Sequence, residues 1–168
     1  MYFRRRRVDL DRVNRVVGEL ELPDAVFKTS PWQPRGLVAQ GLRHWLRCTG
    51  AALRDDQVIG MPSHAVDEAW HGFILCTVRY ATFCDAAYGR FLHHHPEGGT
   101  PTRVAESIGD ADVQLGRTIV AWSMVAAPGE ACVLWDLDEQ VGVEHPWTVP
   151  AQRVSAVLAT LGRDRTRS

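Results

Sequence analysis

The sequence predicts an all-α protein, a single-domain bundle of five or six helices with a long buried central helix. Apolar residues recur at intervals of three and four along most of the chain, and Pro and Gly end the periodic segments. A chain of 168 residues with 45% hydrophobic content is long enough to bury one core. We therefore expect a flexible basic arm at residues 1–8, one helical domain at 9–162 and a frayed tail at 163–168.

The N-terminal part contains two periodic segments separated by a proline-rich connection. The first segment spans residues 9–20 and has ended by Pro23. The connection at residues 23–34 carries Trp32, an aromatic side chain that we expect to dock on the body of the protein. The second segment follows directly and is amphipathic up to about Leu53, which predicts a core helix.

The third segment is the predicted central helix. Pro62 and Ser63 are suited to cap its start, and acidic residues follow in the first turns, where they suit the helix dipole. The segment is apolar over a broad arc up to about Tyr88, as expected for a helix buried on several sides. Gly89 is expected to end it, and the loop at residues 97–101 turns the chain.

The C-terminal part is predicted to hold a fourth helix, a short ambiguous segment and a final helix. The fourth helix covers residues 110–126. Residues 131–142 fit a short helix or a strand, because short apolar runs match both periods, and we favour the helix. The final helix spans residues 151–161 and is expected to be capped by Gly162.

Charge and composition narrow the class of protein. The 19 basic and 20 acidic residues give a net charge of -1, which argues against a nucleic-acid partner and favours a solvated arm at Arg4–Arg7. No apolar run approaches the roughly 18 residues of a spanning helix, so no membrane contact is expected. The start lacks the apolar region of a secretory signal, which predicts a cytoplasmic protein. Its four cysteines, which form no CxxC pair, should then be reduced.

The most informative motif gathers histidines and carboxylates at residues 64–71 and 93–95. Four of them share a helical stripe roughly 60 to 70° wide that is polar where a buried helix should be apolar: His64, Asp67, Glu68 and His71. A carboxylate four residues from a histidine, joined by a distant histidine, is typical of facial iron sites and catalytic zinc sites. The sequence therefore predicts a zinc or iron ion with four candidate ligands: Asp67, His71, His93 and His94.

Three residues are candidates for supporting roles around these ligands. Trp70 would shield one flank of the site and exclude water, and Tyr80 would donate a hydrogen bond towards the histidines. Glu68 is an alternative to Asp67 as the carboxylate that poises His71. Cys84 lies about 140° from His71 around an ideal helix, which predicts a core thiol instead of a ligand.

The same region resembles the signature of the glycine-rich domain-containing protein-like family. The resemblance covers roughly residues 60–97 and depends on these positions: Asp67, Trp70, His71, Tyr80, Phe83, Cys84, Gly89, Leu92 and Pro96. It implies that His94 corresponds to the family's terminal histidine and His93 to a second histidine of bacterial-type members. Plant members tend to have another histidine where this chain has Phe73. The resemblance implies a fold more than a reaction.

Three interpretations of the cluster stay open, with metal binding placed first. In the first, the protein is a metal-dependent hydrolase or oxygenase that acts on a small molecule. In the second, His71 bonds His94 or a backbone carbonyl as a structural staple in a non-catalytic module that binds a protein partner. In the third, Asp67 or Glu68 poises His71 for metal-free acid–base chemistry. No nucleophile elbow, phosphate loop or dinucleotide fingerprint indicates a specific reaction.

Overall fold

The structure, a computed structural model, describes residues 7–94 and 111–165, with side chains up to residue 161. All regular secondary structure in these residues is helical, which confirms the predicted all-α class. The α-helices are α1 (Leu10–Gly18), α2 (Arg35–Arg54), α3 (His64–Leu75), α4 (Thr77–Tyr88), α5 (Ala111–Val125), α6 (Leu137–Gln140) and α7 (Ala151–Arg165). Two 3-10 helices lie at Asp24–Phe27 and Val133–Trp135. Across these ranges, no helix combines the length and the apolar character needed to cross a membrane.

The central helix of the bundle is α2, so the prediction that residues 63–88 form it is wrong. Helix α2 packs against α1, α3 and α5. Two glycines on α2 let neighbouring side chains approach its backbone closely. Gly41 faces Leu137 and Val66, and Gly50 faces Val13. The broad apolar arc of residues 63–88 belongs to two shorter helices and not to one helix surrounded by others.

The predicted third helix is broken at Cys76. A ψ of 55° takes Cys76 out of the helical region, and the residue both ends α3 and precedes α4. The buried positions of α3 and α4 stay in phase at about 100° per residue across the break, so apolar periodicity does not reveal it. Leu75 is 80% exposed and Val78 is 79% exposed, which shows that the corner projects into solvent.

Helix α3 approaches the 3-10 helix at Asp24–Phe27 very closely. A side chain added at Gly72 would collide with the backbone carbonyl of Val26. The same connection reaches α3 a second time, where the indole Nε1 of Trp32 donates to Glu68 Oε2 over 2.8 Å. The expected docking of Trp32 is therefore confirmed, with Glu68 as its acceptor.

Most of the observed helix ends agree with those predicted from the sequence. Gly89 ends α4 in the left-handed conformation, with a φ of 66°. The ambiguous segment at residues 131–142 is helical, but it is divided at Asp136 into a 3-10 turn and α6. Helix α7 continues to Arg165, so the expected cap at Gly162 is wrong.

The predicted arm and tail lie at the edges of the described residues. Arg7 bonds Asp55 over 3.1 Å and Val8 is buried, so both contact the body of the protein. The Arg4–Arg7 run apart from Arg7, the loop at 97–101 and His95 lie outside the described residues. The proposed domain limits stay a prediction.

The start of α3 is held by a buried carboxylate of α6. Asp138 is fully buried and accepts four hydrogen bonds, from Ser63 Oγ (2.6 Å) and from the backbone N–H groups of His64 (2.8 Å), Ala65 (3.1 Å) and Trp147 (3.0 Å). N–H groups in a first helical turn have no partner within the helix, and negative charge there suits the dipole. One side chain of α6 therefore links this helix to the start of α3.

Candidate functional site

Two imidazoles, hereafter the histidine pair, meet beside α3. The Nε2 atom of His71 lies 2.8 Å from the Nε2 atom of His94, and the two rings are 4.5 Å apart between centroids. A contact of this length requires a proton on one nitrogen and a lone pair on the other. The pair is therefore arranged to share one proton.

Asp67 lies one turn before His71 and contacts its other ring nitrogen. Asp67 Oδ2 is 3.5 Å from His71 Nδ1, at the usual spacing of four residues on a helix. Burial raises the pKa of Asp67, although the nearby charges of His71, His94 and His64 act in the opposite direction. The three side chains form a chain from Asp67 through His71 to His94.

The segment after α4 carries His94 back to α3. Gly89 reverses the chain direction, and Arg90 then donates to the backbone carbonyl of Leu53 and to Asp56 Oδ1 at 3.3 Å. These contacts attach the start of the segment to the end of α2. His94, four residues after Arg90, is thereby placed over α3.

Tyr80 and Trp70 support the histidine pair. The Trp70 ring lies 5.2 Å from the His94 ring and 6.1 Å from the His71 ring, between centroids. The Tyr80 hydroxyl accepts from Trp70 Nε1 (3.3 Å) and donates to the carbonyl of Leu92 (2.9 Å). Burial raises the pKa of Tyr80, so its hydroxyl stays protonated as a donor. Tyr80 thus bonds both an aromatic wall of the site and the backbone near His94.

Two other residues of the predicted helical stripe point to different partners. Glu68 accepts from Trp32, as described above, so its contact is with the connection before α2. The His64 ring stacks on Trp147 with a centroid separation of 3.5 Å. Cys84 is fully buried, and burial raises the pKa of its thiol, as expected for a core cysteine.

The four predicted metal ligands do not surround one point. Asp67 lies on the Nδ1 side of His71, whereas His94 lies on the Nε2 side. His93 is exposed, with its ring 4.9 Å from that of Phe91. Within residues 7–94 and 111–165, no group of three or more His, Cys, Asp or Glu side chains is arranged to hold a metal ion. Only the two Nε2 atoms of the histidine pair face a common position.

The histidine pair and Asp67 line a groove of about 1390 Å³. Its other lining residues come from the start of the chain, from α2, from the segments on either side of α3 and α4, and from α5. They include apolar and charged side chains: Arg12, Trp45, Leu53, Ile59, Met61, Tyr88, Arg90 and Phe91. Sequence reasoning missed this groove, because residues so far apart in the chain carry no shared local pattern. Its volume is sufficient for a small organic ligand.

A second, smaller cavity of about 490 Å³ contains His44. His44 Nδ1 accepts from the backbone N–H of Val133 over 3.4 Å, which requires that nitrogen to be unprotonated. Burial lowers the pKa of His44 to about 4, against the opposing effect of Glu130. Glu130 is instead bound by Arg47 at 2.6 Å, and this bond lowers its pKa. His44 is thus a neutral core histidine.

Comparison with known proteins identifies a family but no activity. No curated protein and no solved structure matches the chain. The family model that does match is UCP032817-like, over residues 26–110. Nothing indicates a glycine-rich domain family, so the resemblance based on about residues 60–97 is wrong. In this structure most of those motif residues have packing roles, and a short helical pattern of packing residues does not distinguish families. The matched range covers half of the chain, which therefore belongs to the UCP032817-like family.

Proposed function

We propose that this protein binds a small molecule in the groove and transfers a proton to or from it through the histidine pair. The 2.8 Å contact between the two Nε2 atoms carries the proposal, because it joins two groups that exchange protons near neutral pH. Asp67 positions His71 from behind and stabilises the ring when it is positively charged. The groove supplies the space for a substrate beside the pair.

The accessibility of the site supports this assignment. Asp67 is 30% exposed and His71 is 45% exposed at the side chain, so a ligand in the groove can reach both groups. A carboxylate with a raised pKa beside a histidine in a cleft is a frequent sign of acid–base chemistry. Trp70 reduces the access of water to one side of the pair.

The test is an NMR titration of the histidine ring protons across neutral pH. We expect the two imidazoles to titrate in two coupled steps, because they share one proton. In the His94→Gln variant, His71 should titrate in a single step. His145→Gln is the matched control, since His145 is an exposed histidine far along the chain, and it should leave both curves unchanged.

A functional measurement accompanies the titration. Small carbon acids incubated with the protein in D2O report proton transfer by incorporating deuterium, whatever the complete reaction is. Exchange should be lost in His71→Gln and retained in His145→Gln. Independent titration of His71 and His94, unchanged when either is replaced, would overturn the proposal. If His71→Gln also unfolded the protein, the structural staple would be the better interpretation.

A metal-dependent version of this site is the second candidate. The observation that favours it is Asp67 on His71 Nδ1, because metal-bound histidines usually bond a carboxylate through the other ring nitrogen. Two nitrogens on a tetrahedral zinc ion lie roughly 3.4 Å apart, so the histidine pair would have to separate by roughly 0.5 Å. In that arrangement Asp67 would orient a ligand and would not itself bind the zinc or iron ion.

Elemental analysis of protein purified without a histidine tag distinguishes the two candidates. A stoichiometric metal that is lost in both His71→Gln and His94→Gln, with the fold retained, supports the metal site. Coupled titration in metal-free protein supports proton transfer by the imidazoles alone.

A further inference from the structure

Three hydrogen-bond donors without partners belong to residues that line the groove. The buried side-chain nitrogens Arg12 Nε, Trp45 Nε1 and Arg90 Nε have no hydrogen-bond partner. Buried polar atoms are normally hydrogen-bonded, so each such atom requires an explanation. All three are donors on residues that line the groove, and a ligand that supplies acceptors would satisfy them.

Arg12 is the strongest of the three. It projects from α1, and among the described residues no carboxylate forms an ion pair with its guanidinium. A Cβ placed on Gly89 would lie 3.4 Å from a terminal nitrogen of Arg12, so the guanidinium reaches the turn that precedes Arg90. Arg12 therefore reaches the start of the segment that carries Arg90, whose terminal nitrogens bond Asp56 and the carbonyl of Leu53.

Trp45 joins this donor set to the histidine pair. The residue is 4% exposed, and its ring lies 6.0 Å from that of Trp70, which in turn lies 5.2 Å from the His94 ring. The indole N–H of Trp45 is a donor only, so no rearrangement of protons can satisfy it without an acceptor. The aromatic rings and their apolar neighbours suit a flat, apolar ligand body.

We infer that the groove binds a small organic anion, whose carboxylate or phosphate accepts hydrogen bonds from Arg12, Arg90 and Trp45 while its apolar body lies along Trp45 and Trp70. Guanidinium groups match both anions, because their N–H groups point in parallel at paired oxygens. The inference rests on the proposed function only for the use of the groove as a ligand site.

Calorimetric titration with four probes tests this inference. Benzoate and phenyl phosphate are the anionic probes, benzyl alcohol is the neutral analogue, and inorganic phosphate lacks an apolar body. We expect one or both aromatic anions to bind with at least tenfold higher affinity than benzyl alcohol and than inorganic phosphate. The preferred aromatic anion identifies the carboxylate or the phosphate as the recognised group.

Variants then locate the anion. Arg12→Gln should weaken binding of the preferred probe by about tenfold or more, since a charged hydrogen bond is lost. Trp45→Phe removes the N–H and keeps most of the ring, and should weaken binding by about threefold to tenfold. Arg54→Gln is the matched control, because Arg54 also has a buried Nε without a partner but does not line the groove. Its affinity should stay within about twofold of the wild type.

Three outcomes would overturn the inference. These are equal affinity for benzyl alcohol and the anions, an equal effect of Arg12→Gln and Arg54→Gln, or no binding of any probe. The unfolding midpoint of each variant is measured, and Arg12→Lys, which keeps the charge, replaces Arg12→Gln if that variant does not fold.

One further variant separates this inference from the proposed function. His71→Gln should keep the preference for the aromatic anion over benzyl alcohol while it abolishes deuterium exchange. In the wild-type protein, anion binding without coupled titration would leave the inference standing and would refute the proposed function. Coupled titration without anion binding would support the proposed function and would refute this inference.

Discussion

Two carboxylates lie beside the first turns of α3, and their surroundings differ sharply. Asp138 is fully buried and accepts four hydrogen bonds at 2.6 to 3.1 Å. Asp67 is partly exposed, and its contact with His71 is 3.5 Å long. Burial raises the pKa of Asp67, because its desolvation outweighs the positive charges near it. The carboxylate of Asp138 is thus fully hydrogen-bonded, whereas that of Asp67 has a longer contact with His71.

This difference supports the distinction between Asp138, which has a structural role, and Asp67, for which we propose a functional one. When a folded protein raises the pKa of an aspartate, it holds more protons than the unfolded chain between the ordinary value and the raised one. Stability then falls as pH rises through that window, so ionised Asp67 opposes folding at neutral pH. The proposed acid–base role would account for the retention of such a group.

The largest effect is expected from Asp138→Ala. Removing the carboxylate leaves Ser63 and three backbone N–H groups without their acceptor, so the free energy of unfolding should fall by about 3 to 5 kcal/mol. Urea denaturation measures this loss. Asp136→Ala is the control, because Asp136 is exposed and its carboxylate accepts from the nearby Gln140 side chain. A similar loss in both variants would contradict the role assigned to Asp138.

Lowering the pH extends the comparison, because acid should reduce stability through His44 and increase it through Asp67. The pKa of His44 is lowered from 6.5 to about 4, so the folded state binds fewer protons than the unfolded chain between these values. Stability should therefore be complete above pH 6.5 and fall by about 3 kcal/mol as pH drops to about 4. Asp67, whose pKa is raised, should offset part of this loss.

Urea denaturation at a series of pH values measures the acid effect. His44→Gln should flatten the profile between pH 6.5 and about 4. His145→Gln, at an exposed histidine, should keep the profile of the wild type. An unchanged slope in His44→Gln would show that another group causes the acid sensitivity.

The smallest effect on stability is expected from Asp67→Asn. The substitution removes a charge that opposes folding, so at neutral pH the free energy of unfolding should be unchanged or rise by less than about 1 kcal/mol. Deuterium exchange into ligands should nevertheless fall, because the amide does not stabilise a positively charged His71. Glu68→Gln is the control, since Glu68 bonds Trp32 and should not affect exchange. A marked loss of stability in Asp67→Asn would remove the contrast with Asp138.

Local pattern was sufficient to predict most helices, and tertiary contact determined the rest. Apolar periodicity and helix-terminating residues predicted α1, α2 and α5, because each helix has one apolar face and clear sequence signals at its ends. The break at Cys76 was not predictable in this way, since the buried faces of α3 and α4 stay in phase. One signal was available in Thr77, which falls inside the apolar arc of an uninterrupted helix and is exposed.

The candidate site also combines contacts that local spacing predicts with contacts that it does not predict. Spacing of four residues places Asp67 beside His71 on any helix, so that contact was predictable. Which ring nitrogen faces Asp67 depends on side-chain rotation, and that detail changes a shared metal site into a chain of proton donors and acceptors. The burial of Asp138 and the donors of the groove depend on segments distant in sequence, which no single-chain pattern records.

The collision at Gly72 has a consequence for how α3 can move. With no room for even a methyl group between α3 and the carbonyl of Val26, the helix cannot roll about its own axis without clashing. His71 is therefore carried by a helix that is held against the backbone of Val26.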